Sequence, residues 1–336
     1  MAEQRTGESI LEQARGFQGG QALLAAAELG VFEALGDAAK TADELTDALG
    51  TDPRATEVLL NALAATGLLI KTGEAFSMPA ELVPLLSATD ASSVLPMVVH
   101  TAGCAHRWDR LADVVRTGRP ASDLGGMLGD EAQRRAFIQA MHVAGRGMAD
   151  RIVAVLDPGR FRRALDVGGA SGTYTIALLR AVPDMRVTLF DLPPVIEMAR
   201  ERLEAEGLLD RVDLASGDFH KGPLPGGHDM VLLSAIIHQN SSEQNRQLYR
   251  KCLSALDAGG TIVIRDIIMD ESHTRPPGGA LFAINMLACT EAGGTYSLSE
   301  IRADLESVGF VDVELVRQGT WMDGLVVARR PARGQA

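Results

Sequence analysis

The chain has 336 residues, which suggests about two domains. Hydrophobic residues make up 46% of it and charged residues 23%, an ordinary globular composition with ample apolar material for a core. A formal net charge of −12 and a pI near 5.1 argue against nucleic acid or an anionic membrane as partner, since phosphates would be repelled.

The opening stretch MAEQRTGE has no apolar centre and no small-residue cleavage site, so no signal peptide is expected. No segment approaches the ~18 uninterrupted apolar residues of a membrane span. Cys104, Cys252 and Cys289 are far apart and match no metal spacing, so they read as buried thiols of a cytoplasmic protein.

The first hundred residues are rich in Ala and Leu at helical spacing. In "KTADELTDALGTDPRATEVLLNALAATGLL" Thr41 and Glu44 form a capping-box pair and Gly50 closes the helix. Pro53 suits the first turn of the next helix, which Gly67 ends. "LLIKTGEAFSMP" then alternates and turns at Lys71-Thr72-Gly73, as a hairpin does. Helices followed by a hairpin make a winged-helix plan. Asp43, Glu44, Asp47, Asp52 and Glu57 crowd the part that would enter a DNA groove, so a dimerisation role, giving a homodimer, is the better reading.

Residues 1–92 are therefore assigned to this mainly α domain and 93–160 to connecting helices, with a Gly-rich interruption at "DLGGMLGD". From 161 to 336 the rhythm changes. "RALDVGG", "RVTLFDL", "RVDLASGDF", "HDMVLLSAIIH" and "GGTIVIRDIIM" alternate with helical stretches, which predicts an α/β, doubly wound parallel sheet. The tail "RRPARGQA" is expected to fray. Ligands of such sheets lie at the carboxyl ends of the strands.

At the first of those ends stands "ALDVGGASGT". A dinucleotide fingerprint starting at Gly168 needs glycines at 170 and 173, where the chain has Ala170 and Thr173. An acidic residue with spaced glycines fits better: Asp166, Gly168, Gly169 and Gly172. Such a loop suits an ammonium-bearing ligand such as S-adenosylmethionine better than a pyrophosphate. Asp191 ends the second strand, placed for two ribose hydroxyls. Asp218 and Phe219 end the third, placed for an adenine amino group and its ring. Each of these carboxylates alone reads more readily as a helix cap than as a ligand; the three together behind a glycine loop point to an adenosyl cofactor.

These motifs, with "LGVFEAL", "ALAATGLL", "FDLPPV", "GDF" and "SAIIH", give the chain a resemblance to class I S-adenosylmethionine-dependent methyltransferases. More narrowly, it is similar to small-molecule O-methyltransferases of the caffeate and hydroxyindole type. The resemblance covers nearly the whole chain and implies a winged-helix-like dimerisation domain before a Rossmann-like catalytic domain. It places cofactor contacts at Gly168, Asp191, Asp218, Phe219 and Ser234, the last where relatives often have lysine. It makes His238 the catalytic base and Asp266 the acid that steers it. Trp108, Met141, Asn285 and Met286 match positions that line the acceptor pocket.

Two departures stand out. Gln239-Asn240 follows the histidine where relatives have Asp-Trp, and Tyr296 stands where a second acidic helper is expected, with Glu291 the nearest spare carboxylate. No cluster of His, Cys and acidic residues suggests a metal.

A phenol, with pKa near 10, is a poor nucleophile until deprotonated, and a histidine, with reference pKa about 6.5, is a neutral base at pH 7. The bland reading makes His238 a satisfied strand-end residue. His100, His106 and His142 read as structural, and His220, His228 and His273 as loop residues. Met141, Met148 and Met286 are adaptable wall material for a flat ring, Met148 equally a core residue. The expected activity is O-methylation of a small aromatic metabolite. The alternatives are C- or N-methylation on the same fold, or a non-catalytic winged-helix regulator.

Overall fold

The computed structural model describes residues 5–120 and 131–332, apart from the side chains of 132 and 133. The Gly-rich interruption at 123–130 lies outside the described residues. The chain divides into two compact units, Met1–His106 with Ala132–Val143, and Arg107–Glu131 with Ala144–Ala336.

The first unit opens with α1 (Gly7–Arg15), α2 (Phe17–Glu28) and α3 (Val31–Leu35). Then come β1 (Lys40–Thr41), α4 (Ala42–Leu49), α5 (Pro53–Ala65), β2 (Ile70–Thr72) and β3 (Ala75–Ser77). Val31, Phe32, Leu35, Leu45, Leu60 and Leu63 close on Phe76 of β3. Thr41 and Glu44 form the capping box of α4, and Gly50 ends that helix at φ 64°. Pro53 is the first residue of α5, and Gly67 follows its carboxyl cap. The three short strands form an antiparallel sheet in the order β1-β3-β2, the hairpin of a winged helix. Its turn is Gly73-Glu74 rather than Lys71-Thr72-Gly73: Thr72 pairs with Ala75, and Gly73 takes the positive φ of 60° that a two-residue hairpin turn asks of its first position.

Three helices follow, α6 (Leu95–Trp108), α7 (Leu111–Thr117) and α8 (Glu131–Leu156), and α6 and α8 contribute residues to both units. No helix among the described residues is long and apolar enough to cross a membrane.

The second unit contains β4 (Arg163–Val167), α9 (Thr173–Ala181), β5 (Arg186–Asp191), α10 (Pro193–Ala205), β6 (Val212–Ser216) and β7 (His228–Ser234). It continues with α11 (Ser242–Ala255), β8 (Leu256–Asp266), β9 (Ile268–Met269), α12 (Pro277–Cys289) and β10 (Tyr296–Ser297). α13 (Leu298–Ser307), β11 (Val311–Arg317) and β12 (Gly324–Arg329) complete it. Seven strands make the central sheet, in the order β11-β12-β8-β7-β4-β5-β6.

The five strands β6, β5, β4, β7 and β8 are parallel, as the alternation of the sequence predicts. β12 and β11 join antiparallel, which makes the sheet mixed. Side chains alternate across it. Ala164 and Leu232 face a core with α8, α9 and α10, whereas Leu165, Val167 and Leu233 face a core with α11 and α13. The order reverses between β4 and β7, which opens a crevice at their carboxyl ends.

Several local expectations change. β7 ends at Ser234, not at His238: Ala235 adopts φ 58°, which breaks the ladder, and Ile237–Gln239 form a single 3-10 turn. His228 is no loop residue; it is the buried start of β7, with Nε2 2.9 Å from the Thr188 hydroxyl, and burial holds its pKa down. Cys289 is only half-buried, unlike Cys104 and Cys252. Arg330, in the described part of the tail, donates its amide to the Gly260 carbonyl and its guanidinium to the Leu253 carbonyl, and residues 333–336 lie outside the described residues.

Candidate active site

The loop between β4 and α9 is shaped by its glycines. Gly168 sits at φ 69°, and a Cβ there would stand 2.5 Å from Cδ1 of Ile236. A Cβ on Gly169 would meet the Asp166 carboxylate at 2.9 Å. Asp166 therefore lies behind the loop rather than in front of it. It is buried, and the Thr175 hydroxyl donates to it at 2.7 Å. Burial pushes its pKa up to about 6 against the pull of that hydrogen bond.

Asp191, the last residue of β5, ties the second strand end to the loop. One oxygen accepts from the Ala170 amide at 2.9 Å and the other from the Leu192 amide at 2.7 Å. Burial raises its pKa, and the two amides oppose the rise. Asp218 follows β6, accepts from the His220 amide at 2.9 Å and lies 3.2 Å from the Lys221 ammonium. Burial works to raise its pKa, but those partners outweigh it and hold the carboxyl low. Phe219 sets its ring beside the loop, 3.7 Å from where a Cβ on Gly168 would stand. Ser234, at the end of β7, accepts from Nε of Arg265 at 2.8 Å.

These residues meet at one crevice, and they fit an adenosyl sulfonium with an amino-acid end. Two strand-end carboxylates and an aromatic ring surround a close-approach loop. The buried Ser171 hydroxyl of that loop has no hydrogen-bond partner among the described residues, so unfilled polar capacity is present where a ligand would lie.

His238 and Asp266 are the second cluster. Nδ1 of His238 is 3.0 Å from each oxygen of Asp266, and the residues are 7% and 1% exposed. Asp266 also accepts from the Ile267 amide at 2.8 Å, so its orientation is fixed. Nε2 of His238 makes no hydrogen bond among the described residues. The 3-10 turn carrying the histidine is braced by a buried amide pair. Asn240 donates to Asn245 at 3.0 Å, and Asn245 donates to the Ile237 carbonyl at 3.0 Å. Asn240, at the departure from the Asp-Trp pair, thus has a packing role. Tyr296 donates its hydroxyl to the Asn240 carbonyl, and burial pushes its pKa up to about 12. Glu291 is exposed.

α12 supplies the wall beside the histidine. Phe282 meets the His238 ring edge-on at 5.0 Å, and Trp321 meets Phe282 edge-on at 5.7 Å. Asn285, one turn after Phe282, accepts from the Trp108 indole at 3.0 Å, and Met286 is buried next to it in sequence. Trp108 and Asn285 are therefore brought together. Met141, half-buried on α8, belongs to the first unit. Met148 packs on the sheet core, and its sulfur accepts from Arg265.

Sequence reasoning missed Phe282, Trp321, Ser171, Asn245 and Arg265. The i, i+3 spacing of Phe282 and Asn285 on an apolar helix was the one available signal. His100 stacks edge-on with Phe137 at 5.4 Å, and His106 is 3.6 Å from Glu28, both within the first unit. Among the described residues no group of three or more His, Cys, Asp or Glu could hold a metal.

Comparison with known proteins matches residues 108–311 to the O-methyltransferase domain and residues 11–95 to the O-methyltransferase dimerisation domain. The chain is 35% identical over 316 residues to a 3-hydroxy-5-methyl-1-naphthoate 3-O-methyltransferase from Streptomyces sahachiroi, covering 92% of this chain and 90% of that one. It is 31% identical over 347 residues to the acetylserotonin O-methyltransferase of Bos taurus, covering 98% and 99%. Among solved structures, that of PigF with SAH superposes with a TM-score of 0.85 at 25% identity, covering 97% of this chain and 100% of that one.

Proposed function

The chain belongs to the O-methyltransferase family and is an S-adenosylmethionine-dependent enzyme, and on that premise we propose that it methylates a phenolic hydroxyl of a small aromatic metabolite with His238 as general base. The observation that carries the reading is the geometry of the imidazole. With Nδ1 tied to Asp266, the neutral ring has its lone pair on Nε2, available for a proton taken from the acceptor. Asp266 fixes that tautomer and supports the charge the ring acquires.

The edges of Phe282 and Trp321 offer an apolar wall for a flat ring, and Trp108, Asn285 and Met286 are proposed to complete it. The acceptors named for two relatives, a hydroxynaphthoate and acetylserotonin, are aromatic, which supports this class.

The cofactor, when bound, supplies an electrophilic methyl on sulfur. Asp191 is assigned to the ribose hydroxyls, Asp218 and Phe219 to the adenine, and Gly168, Gly169 and Ser234 to the sides of the cleft. Asp166 supports the loop from behind and contributes negative potential toward an ammonium. Holding nucleophile and methyl group in line contributes most of the acceleration in such a displacement. We also propose a homodimer formed through the first unit, whose helices expose Ile10, Leu11 and Phe17.

Incubation with methyl-labelled S-adenosylmethionine and a panel of phenols, anilines and C-nucleophilic arenes tests the reading. Label recovered as an aryl methyl ether supports it; label recovered only on nitrogen or carbon removes it.

A further inference from the structure

Arg265 carries a charge that no ion pair among the described residues neutralises. It is the penultimate residue of β8 and is only 5% exposed. Its Nε donates to the Ser234 hydroxyl at 2.8 Å, and Nη1 donates to the Met322 carbonyl at 2.6 Å and to the Met148 sulfur at 3.4 Å. The guanidinium carbon lies 4.8 Å from the centre of the Tyr174 ring. All of these partners are neutral. Among the described residues Arg265 forms no ion pair, and Nη2, with two N–H donors, makes no hydrogen bond. Asp166 feels its charge, but the near hydrogen bond of that carboxylate is to Thr175. A guanidinium taken out of water without an anion is costly, so the protein bears a penalty that an incoming carboxylate would relieve.

The position says which ligand brings that carboxylate. Arg265 pairs in register with Ser234, at the end of the strand beside the glycine loop. Tyr174, under its guanidinium, is in the first turn of the helix that the same loop starts. Asp266 follows Arg265 on the strand, so it and His238 belong to the opposite face. We propose that Arg265 anchors the carboxylate at the methionine end of S-adenosylmethionine, through Nη2, and so selects the intact cofactor over its decarboxylated and truncated forms. The proposal rests on the cofactor assignment and names a residue that neither the glycine loop nor the strand-end carboxylates include.

Calorimetry with three ligands tests it: S-adenosylmethionine, decarboxylated S-adenosylmethionine and 5′-methylthioadenosine. The parent should bind the first about 10–100-fold more tightly than the second, the worth of a charge-assisted hydrogen bond. In Arg265→Met that preference should vanish while affinity for 5′-methylthioadenosine is kept, which also shows that the variant folds. Arg265→Lys should restore part of the preference. Equal affinity of the parent for the first two ligands overturns the proposal without any variant. So does an unchanged preference in Arg265→Met, or a loss confined to a carboxylated acceptor such as 3-hydroxy-2-naphthoate. A parent with no affinity for S-adenosylmethionine would be a different result and would strike the cofactor assignment itself.

Discussion

Asp266 meets Nδ1 of His238 with both carboxylate oxygens at 3.0 Å, and neither residue is more than 7% exposed. A carboxylate only accepts, so Nδ1 is the donor toward Asp266, and in the neutral ring the lone pair then lies on Nε2. Asp266→Asn keeps an acceptor but removes the charge, and its amide can also turn a donor toward the ring. Turnover should fall by about 10–100-fold with a smaller change in the acceptor KM, because the base is still present but less often in the useful tautomer. Nitrogen NMR of His238 should show the tautomer mixture directly. A variant with parental turnover and a single tautomer would remove Asp266 from the mechanism.

Asp191→Ala bears on the cofactor. Asp191 is half-buried at the end of β5, and its oxygens hold the Ala170 and Leu192 amides. Loss of the carboxylate removes a charge-assisted contact to the ribose and loosens the loop, so S-adenosylmethionine affinity should fall by about 10–100-fold. Calorimetry on a folded variant with parental affinity would take Asp191 out of the site.

The pH dependence of stability reports on Asp166. Its ordinary value is 3.8, and burial raises it to about 6 in the folded protein. The folded chain therefore binds this proton more tightly than the unfolded one. The associated stability is present at low pH, is lost as pH rises from about 4 through about 6, and is gone above 7. Asp166→Asn removes this slope. Urea unfolding of parent and variant at pH 5 and pH 7 should show their stability difference changing by about 1 kcal/mol. Parallel profiles would mean that Asp166 titrates as an ordinary carboxyl.

Assembly follows from the first unit. Ile10 and Leu11 on α1 and Phe17 on α2 are more than half exposed, an arrangement that favours a partner surface. Light scattering at micromolar concentration should report two chains, and Ile10→Glu with Phe17→Glu should shift the mass toward one. A parental monomer would contradict the dimer.

The parts that were legible in the sequence are those where the backbone or a charge admits few alternatives. Gly168 and Gly172 adopt positive φ, and only glycine does so easily, so the loop is visible as spelling. Asp191 ends the apolar strand β5 and Asp218 follows β6 by two residues, where charge has a reason to be. The capping box at Thr41 and Glu44 is local and was equally readable.

The residues that escaped are those defined by distant partners. The Trp108 indole and Asn285 are 177 positions apart, and Phe282 finds Trp321 only because α12 and the turn before β12 fold together. Arg265 looked like one more residue of the strand "IVIRDIIM", because periodicity assigns it a face but not its lack of a counter-ion. β11 and β12 escaped because the reading tracked alternating parallel units and these two join antiparallel. His238 falls beyond the strand expected to carry it, since the positive φ of Ala235 ends β7 four residues earlier.

The most direct test of the central claim is the pH dependence of methyl transfer to a phenolic acceptor in the parent and in His238→Ala, read in single turnovers at saturating cofactor. At pH 7 the variant should be slower by roughly 10²–10⁴, the usual worth of a positioned base. The deficit should shrink as pH approaches the acceptor's own pKa, where the phenolate forms without help, and cofactor affinity should stay near parental. A deficit of the same size at every pH would contradict general-base catalysis by His238 and leave the imidazole with positioning alone.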